Sequence, residues 1–323
     1  MKVKLIGIFV FLLIGEHCIA QTCCSSGTPL SAQMGLEFLN KNDLLFNLAY
    51  DYNYLNDQFN EGEKLETDNR SRLSQSILFR VQYGLSDKWS FALSMPYVFR
   101  SENITSDLTS YSELSSSGIG DLLFQANYSL LKNGKHQILI SSGLKMPTGS
   151  NSETNEFGIP LPADLQPGTG SWDGIIAALY EINNIWGGHF HFNTSVTARF
   201  NGEGSRFDGR QSYQFGNAYS LIAGLNYEAI VNNSFLVPSI NLGYRRTMVD
   251  VTDGSLTPST GGDWLFFIPG LSYYFKNEMK VLFSSSIPIY TYLEGTQLTT
   301  SYRFYIQFQY TLKTKKDEIL KDF

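Results

Sequence analysis

From residue 43 onward the chain alternates polar and apolar residues in twelve successive stretches, joined in turn by short links and long ones. In the last stretch Tyr302, Phe304, Ile306, Phe308 and Tyr310 fall on one face of a period-2 strand, and Arg303, Tyr305, Gln307, Gln309 and Thr311 on the other. One face suits lipid and the other water. A soluble sandwich also alternates, but its apolar face meets a second sheet and its links do not sort into two length classes at opposite ends. The pattern predicts an all-β fold: a single 12-stranded antiparallel transmembrane β-barrel, both termini periplasmic, in the outer membrane of a Gram-negative bacterium.

The first 20 residues carry Lys2 and Lys4, an apolar run from Leu5 to Gly15, and Cys18-Ile19-Ala20 before Gln21, which predicts a signal peptide cut after Ala20. Residues 21–42 then form a periplasmic N-terminal segment, 43–312 the barrel, and 313–323 a charged periplasmic tail. Losing Lys2, Lys4 and Glu16 leaves 22 basic and 29 acidic residues, a net charge of −7. That balance argues against a nucleic-acid partner. No Pro/Ser-rich linker interrupts the strand rhythm, so one barrel accounts for the length.

Strands are expected near 43–55, 70–85, 88–100, 117–131, 135–147, 171–183, 188–200, 213–229, 234–248, 263–275, 279–291 and 299–312. Ser86-Asp87, Lys132-Asn133-Gly134, Asn183-Asn184-Ile185, Val231-Asn232-Asn233 and Lys276-Asn277-Glu278 have tight-turn chemistry and are placed on the periplasmic side. The longer links near 56–69, 101–116, 148–170, 201–212, 249–262 and 292–298 are expected to face away from the cell. Pro96, Pro147 and Pro288 are expected to mark the outer rim, whereas Pro238 and Pro269 lie deeper and signal bulges.

The same parity selects the inner wall. It collects Asp51, Arg80, Arg100, Asp121, Lys145, Arg199, Glu228, Arg245 and Arg303 as inward charges of mixed sign. Charges at membrane depth are paired or wetted, so these residues form either a stiffening salt-bridge network or a selectivity lining that touches solute. Strands six and ten are apolar on both faces, at Ile175-Ile176-Ala177-Ala178-Leu179 and Leu265-Phe266-Phe267-Ile268. That pattern fits an apolar solute path, an inserted plug or a partner surface.

Four motifs recur in order: Ser117-Gly118-Ile119-Gly120-Asp121; Leu144-Lys145-Met146-Pro147-Thr148-Gly149; Gln166-Pro167-Gly168-Thr169-Gly170-Ser171-Trp172-Asp173; and Ser286-Ile287-Pro288-Ile289-Tyr290 with Gly295-Thr296-Gln297-Leu298. The ordered set resembles the outer-membrane family named after the meta-pathway of phenol degradation, often labelled a "transporter", over most of residues 75–312. The resemblance implies a barrel admitting small, often hydrophobic or aromatic compounds. The motifs also have a purely structural reading, in which Gly frees the backbone and Asp121 and Asp173 accept loop amides. Cys23-Cys24, the glycine-poor N-terminal segment and the tail 313–323 depart from the family pattern.

Cys23 and Cys24 form an incidental or vicinal pair, a redox-active or intermolecular contact, or a soft-metal ligand. His189 and His191 share a face, but without a nearby carboxylate in sequence they read as wall residues. No histidine sits in a catalytic motif, so no enzyme, cofactor or metal is expected. Asp250 to Asp253 and Asp208-Gly209 lack calcium-loop spacing and read as solvated turns. The expected function is passive passage of small, possibly hydrophobic or aromatic, solutes; the alternative is a non-conducting accessory subunit bound to a protein partner in an outer-membrane complex. Outer-membrane lipid is a partner in either case.

Overall fold

The computed structural model describes residues 35–66, 70–106, 109–204, 211–231, 234–275 and 278–313. The expectations for the signal peptide, Cys23, Cys24 and residues 314–323 lie outside these. In chain order the strands are β1 (Leu44–Glu61), β2 (Glu63–Leu65), β3 (Arg70–Gly84), β4 (Trp89–Ser106), β5 (Thr109–Ile119), β6 (Leu122–Lys132), β7 (His136–Met146), β8 (Asp173–Ile185) and β9 (Phe190–Asn201). They continue with β10 (Tyr213–Gln214), β11 (Ala218–Tyr227), β12 (Ala229–Val231), β13 (Ser234–Thr247), β14 (Val251–Thr252), β15 (Ser255–Leu256), β16 (Gly262–Phe275) and β17 (Met279–Leu312). A 3-10 turn, Ala163–Leu165, lies in the link between β7 and β8.

Eleven elements close an antiparallel barrel: β1, β3, β4, β6, β7, β8, β9, β11, β13, β16 and β17, with β11 pairing β13 and β17 pairing β1. The expected strands eleven and twelve are one uninterrupted element, β17, whose first part pairs β16 and whose last part pairs β1. The ladder does not break at the expected link because Thr296, Gln297 and Leu298 themselves pair with Asn60, Phe59 and Gln58.

Burial follows the pleat. On β1, Leu45, Asn47, Ala49, Asp51, Asn53 and Leu55 are buried, while Leu48 and Tyr50 are exposed. The exposed set continues with Phe79, Leu93, Phe124, Phe304 and Ile306, an apolar outer surface of the kind only a barrel in lipid presents. Cross-strand aromatic pairs run along it, including Phe91 with Phe124 at 5.9 Å and Phe283 with Phe304 at 6.1 Å between ring centroids. Such pairs contribute roughly 0.5–1.5 kcal/mol each beyond burial.

Several local expectations are corrected. Asn183-Asn184-Ile185 is the end of β8; the chain reverses through Trp186, Gly187 and Gly188, where all three adopt positive φ. Pro147 does end β7, but Pro96 and Pro288 lie inside longer strands. Pro96 is tolerated because β4 changes partner there, from β6 at Ser94 to β5 at Tyr97. Pro288 adjoins the irregularity in the β16–β17 ladder, whereas Pro238 and Pro269 pair in register with Leu271 and Ile240, so the β13–β16 ladder has no bulge at either.

The long links are not all outside. The link between β7 and β8 folds inward, burying Leu161, Leu165 and Gln166. The links expected at 201–212 and 249–262 are held together by a small sheet in the order β10-β14-β15.

Candidate functional site: the barrel lumen

The motif residues meet at one place. Lys145 on β7 reaches Asp121 and Asp173 at 2.8 Å each, and all three side chains are buried. Asp121 also accepts from the Gly149 amide at 3.0 Å and from the Thr169 amide and hydroxyl at 2.9 and 2.7 Å. Asp173 accepts from Ser171 at 2.7 Å and from the Gly202 amide at 3.2 Å. Lys145 donates to the Thr169 hydroxyl as well. The two carboxylates thus fasten both ends of the inward link, as the structural reading of the motifs expects. Glycine is required where the link ends cross: a Cβ built on Gly168 would lie 2.5 Å from the Gly149 carbonyl carbon.

Beyond this knot the link carries its 3-10 turn across the lumen. Arg72 bridges Glu102 at 2.7 Å and Asp164 at 2.5 Å, and Arg70 pairs with Glu102. Arg100 donates to the Asp164 and Gln166 carbonyls at 2.8 and 2.6 Å. Gln166 is fully buried and returns to the Glu153 and Leu161 carbonyls, 2.9 Å each. The turn is therefore pinned from the β3–β4 wall.

The other end is filled by residues 35–39. Leu36 packs on Leu139, Ala177 and Leu179, with Phe38 alongside. Glu37 crosses to the opposite wall, accepting from Gln309 at 2.6 Å and pairing with Lys280 at 3.5 Å, while its carbonyl accepts from Gln82 at 3.0 Å. The inward apolar residues of the sixth expected strand thus meet this segment. Those of the tenth, now β16, pack differently: Trp264 lies on Leu293 with Phe59 and Phe266.

Two cavities lie inside the wall, the first against residues 35–38. A vestibule of about 570 Å³ is lined by Glu37, Glu181, His191, Glu228, Lys280 and Gln307 among others. A slot of about 100 Å³, which shares Ser239 and Leu282 with the vestibule, lies against β1, β11, β13, β16 and β17.

The nine charges chosen by parity are distributed among these features. Asp121, Lys145 and Arg100 fasten the inward link. Asp51 and Arg303 form a bidentate pair, 2.6 and 2.9 Å, on the slot wall, where Arg245 also stands with its guanidinium 5.2 Å from the Trp264 ring centroid. Arg80 donates to Gln125 at 2.6 Å under Gly35. Arg199 is buried within the field of Asp173, Asp250, Asp121 and Arg245. Glu228 meets His191 at 3.1 Å in the vestibule, so the fold supplies the carboxylate that the local sequence of the histidines lacks. Missed in the sequence were Arg72, Glu102, Asp164, Glu37 and Lys280. Arg72 and Glu102 share the parity of Arg80 and Arg100; the link residue Asp164 carries no periodic signal.

Asp250, expected in a solvated turn, is buried beyond the end of β13 and corrects that expectation. It accepts from the Tyr213 hydroxyl at 2.5 Å and the Gly216 amide at 2.7 Å. Burial pushes its carboxyl up to about 6, against the opposing pull of these donors. A raised value means the protonated form fits the fold better, so its stabilisation is complete below about pH 4 and lost as pH rises through about 6. Thermal unfolding midpoints from pH 4 to 7 are expected to fall with this profile, and Asp250→Asn to flatten it; equal slopes in both proteins would refute the assignment.

No curated protein matches the chain. Among solved structures it is similar to an outer membrane channel from Pseudomonas putida F1, at 16% identity and a TM-score of 0.67, covering 85% of this chain and 97% of that one. The beta domain of the Bordetella autotransporter BrkA follows at 8% identity and a TM-score of 0.46, covering 84% and 100%. The monoaromatic hydrocarbon channel CymD stands at 12% and 0.41, covering 91% and 95%. The first likeness agrees with the fold. Residues 82–304, which hold the knot, the inward link and most of both cavity walls, match the model of the family described as "Putative MetA-pathway of phenol degradation", and the chain belongs to that family.

Proposed function

We propose that this outer-membrane barrel is a channel passing small, partly apolar solutes by passive diffusion. The observation that carries the reading is a pair of neighbouring cavities inside a closed wall, the vestibule and the slot, which share Ser239 and Leu282 in their linings. Membership of a family named for phenol degradation supports aromatic solutes. The segment 35–39 and the inward link act as plugs at the two ends. These same closures favour a second reading, a non-conducting accessory subunit that docks a protein partner.

The chain crosses the membrane twelve times in this proposal, with both ends periplasmic. Nine antiparallel pairings lead from β1 round to β16, so those two strands run in opposite directions. The first part of β17 is antiparallel to β16 and its last part antiparallel to β1. Those relations hold together only if β17 reverses within itself, and Gly295, at φ +79°, supplies a turning point. One experiment tests both claims: entry of phenol-sized neutral solutes into liposomes carrying the barrel, with orientation in cells read from cysteines at Phe157 and Gly134. Solute-dependent flux and labelling of Phe157 alone by an impermeant reagent are expected. A sealed barrel would move the conclusion to the accessory role, and labelling at Gly134 alone would invert the topology.

A further inference from the structure

We propose that the vestibule binds a neutral ring rich in hydroxyls, a polyol of the size of a simple sugar. This goes beyond the channel reading and holds whether or not the solute crosses. The cavity, about 570 Å³, falls within the range of small-molecule sites, roughly 300–1,000 Å³. Its lining includes Asn183, Tyr274 and Lys280 near strand ends and Glu228 just past β11, whose side chain is 35% exposed, so the cavity opens at the end of the barrel.

The recognition surface is one rung of the inner wall. Gln137 on β7 lies opposite Glu181 on β8, and Glu181 opposite Asn193 on β9, so an amide, a carboxylate and an amide stand side by side. All three line the vestibule. Asn193 is only 8% exposed, and its Oδ1 accepts from Asn226 at 2.9 Å. Its Nδ2, and the polar ends of Gln137 and Glu181, have no hydrogen-bond partner among the described residues. A carboxylate only accepts and an amide nitrogen only donates, so a ligand group that serves both must do both, as a hydroxyl does and an ammonium does not. Adjacent hydroxyls on one ring suit adjacent side chains on one rung.

The charges of the lining select against ions. Glu228 is engaged by His191 at 3.1 Å and Glu37 by Lys280 at 3.5 Å. Glu181 lies in the field of both Glu37 and Lys280. A ligand cation beside it meets Lys280, and a ligand anion meets two carboxylates, so a neutral solute is preferred. The body of the ring is met on β13, β16 and β17. There Phe235 lies opposite Tyr274 and Val237 opposite Ser272, with Leu282 on the other flank of Ser272, an apolar strip that takes the C–H face of a sugar. Within that strip Ser272, 9% exposed, offers a hydroxyl with no partner among the described residues.

The test is calorimetric titration of the purified full-length barrel, in a detergent without a sugar headgroup, with glucose, cyclohexanol, glucosamine as its cation and glucuronate. It is run on the native protein, Glu181→Ala and Glu181→Gln. Glucose is expected to bind about tenfold or more tighter than cyclohexanol, with both charged sugars weaker than glucose. Glu181→Ala is expected to weaken glucose about tenfold and to leave cyclohexanol within about twofold; Glu181→Gln, which offers a neutral acceptor, falls between. Undetectable glucose binding, cyclohexanol bound as well as glucose, or either charged sugar bound tightest would overturn the proposal, as would a glucose affinity unchanged in Glu181→Ala. Circular dichroism checks folding, and if the alanine variant is unfolded the glutamine variant decides, an undiminished affinity counting against the site. Liposome flux reads the channel separately: glucose binding without flux of phenol-sized solutes leaves the site and sinks the channel, whereas flux without glucose binding sinks the site alone.

Discussion

Replacing Lys145 with alanine is expected to destabilise the barrel by about 3–5 kcal/mol, the usual consequence of removing one partner from a buried ion group. The lysine neutralises two carboxylates at once, and neither Asp121 nor Asp173 has water to turn to. Both would retain their amide and hydroxyl donors, so the loss falls on the charge balance and on the inward link that these carboxylates fasten. Urea unfolding in lipid vesicles measures it. The combination Lys145→Met, Asp121→Asn, Asp173→Asn removes the charges together and is expected to recover much of the loss. If the single variant costs less than about 1 kcal/mol, as an exposed pair would, the knot is not the fastening described.

Arg72→Ala is expected to be nearly as disruptive, and its readout is different. Arg72 is buried and holds Glu102 on the wall and Asp164 on the 3-10 turn. Its removal leaves Glu102 with Arg70 but takes from Asp164 the guanidinium that holds it to the wall, a penalty of several kcal/mol that the link relieves by swinging Asp164 out to water. The barrel wall keeps its ladder while the turn leaves the lumen. Conductance in planar bilayers is expected to rise severalfold over the native protein with an unchanged circular dichroism spectrum. Unchanged conductance in a folded variant would show that the turn does not limit passage.

What the sequence revealed and what it hid have a common cause. Period-2 alternation is a property of the strand itself, so the lipid face of β17 at Phe304, Ile306 and Phe308 and the inward charges Asp51, Lys145 and Arg303 were legible residue by residue. Carried two residues further, the same parity reaches Glu102 from Arg100, and eight residues back it reaches Arg72 from Arg80. The links have no period. Asp164, Gln166 and Asp250 look like surface polar residues because their burial depends on tertiary partners far away in the chain, Arg72, Arg100 and Tyr213. The asparagines at 183–184 misled for a related reason: turn chemistry there is real, since Asn184 takes positive φ, but it serves an irregularity at the end of β8 and the glycines beyond make the reversal.

The seam between β1 and β17 has a consequence for how the molecule is made. Leu44 pairs with Leu312, so the last ring of hydrogen bonds joins positions separated by 268 residues, and none of it forms until nearly the whole chain has been delivered. Closing a loop of that length costs on the order of 5 kcal/mol in chain entropy, recovered only once the ladder zips, and such long-range pairing is slow. Until then the sheet has two open edges, at β1 and at β17, each a template for another chain. Assembly therefore passes through an intermediate whose lifetime is set by the joining of its own two ends, and whatever escorts the chain to the membrane must keep those edges apart from every other copy until they find each other.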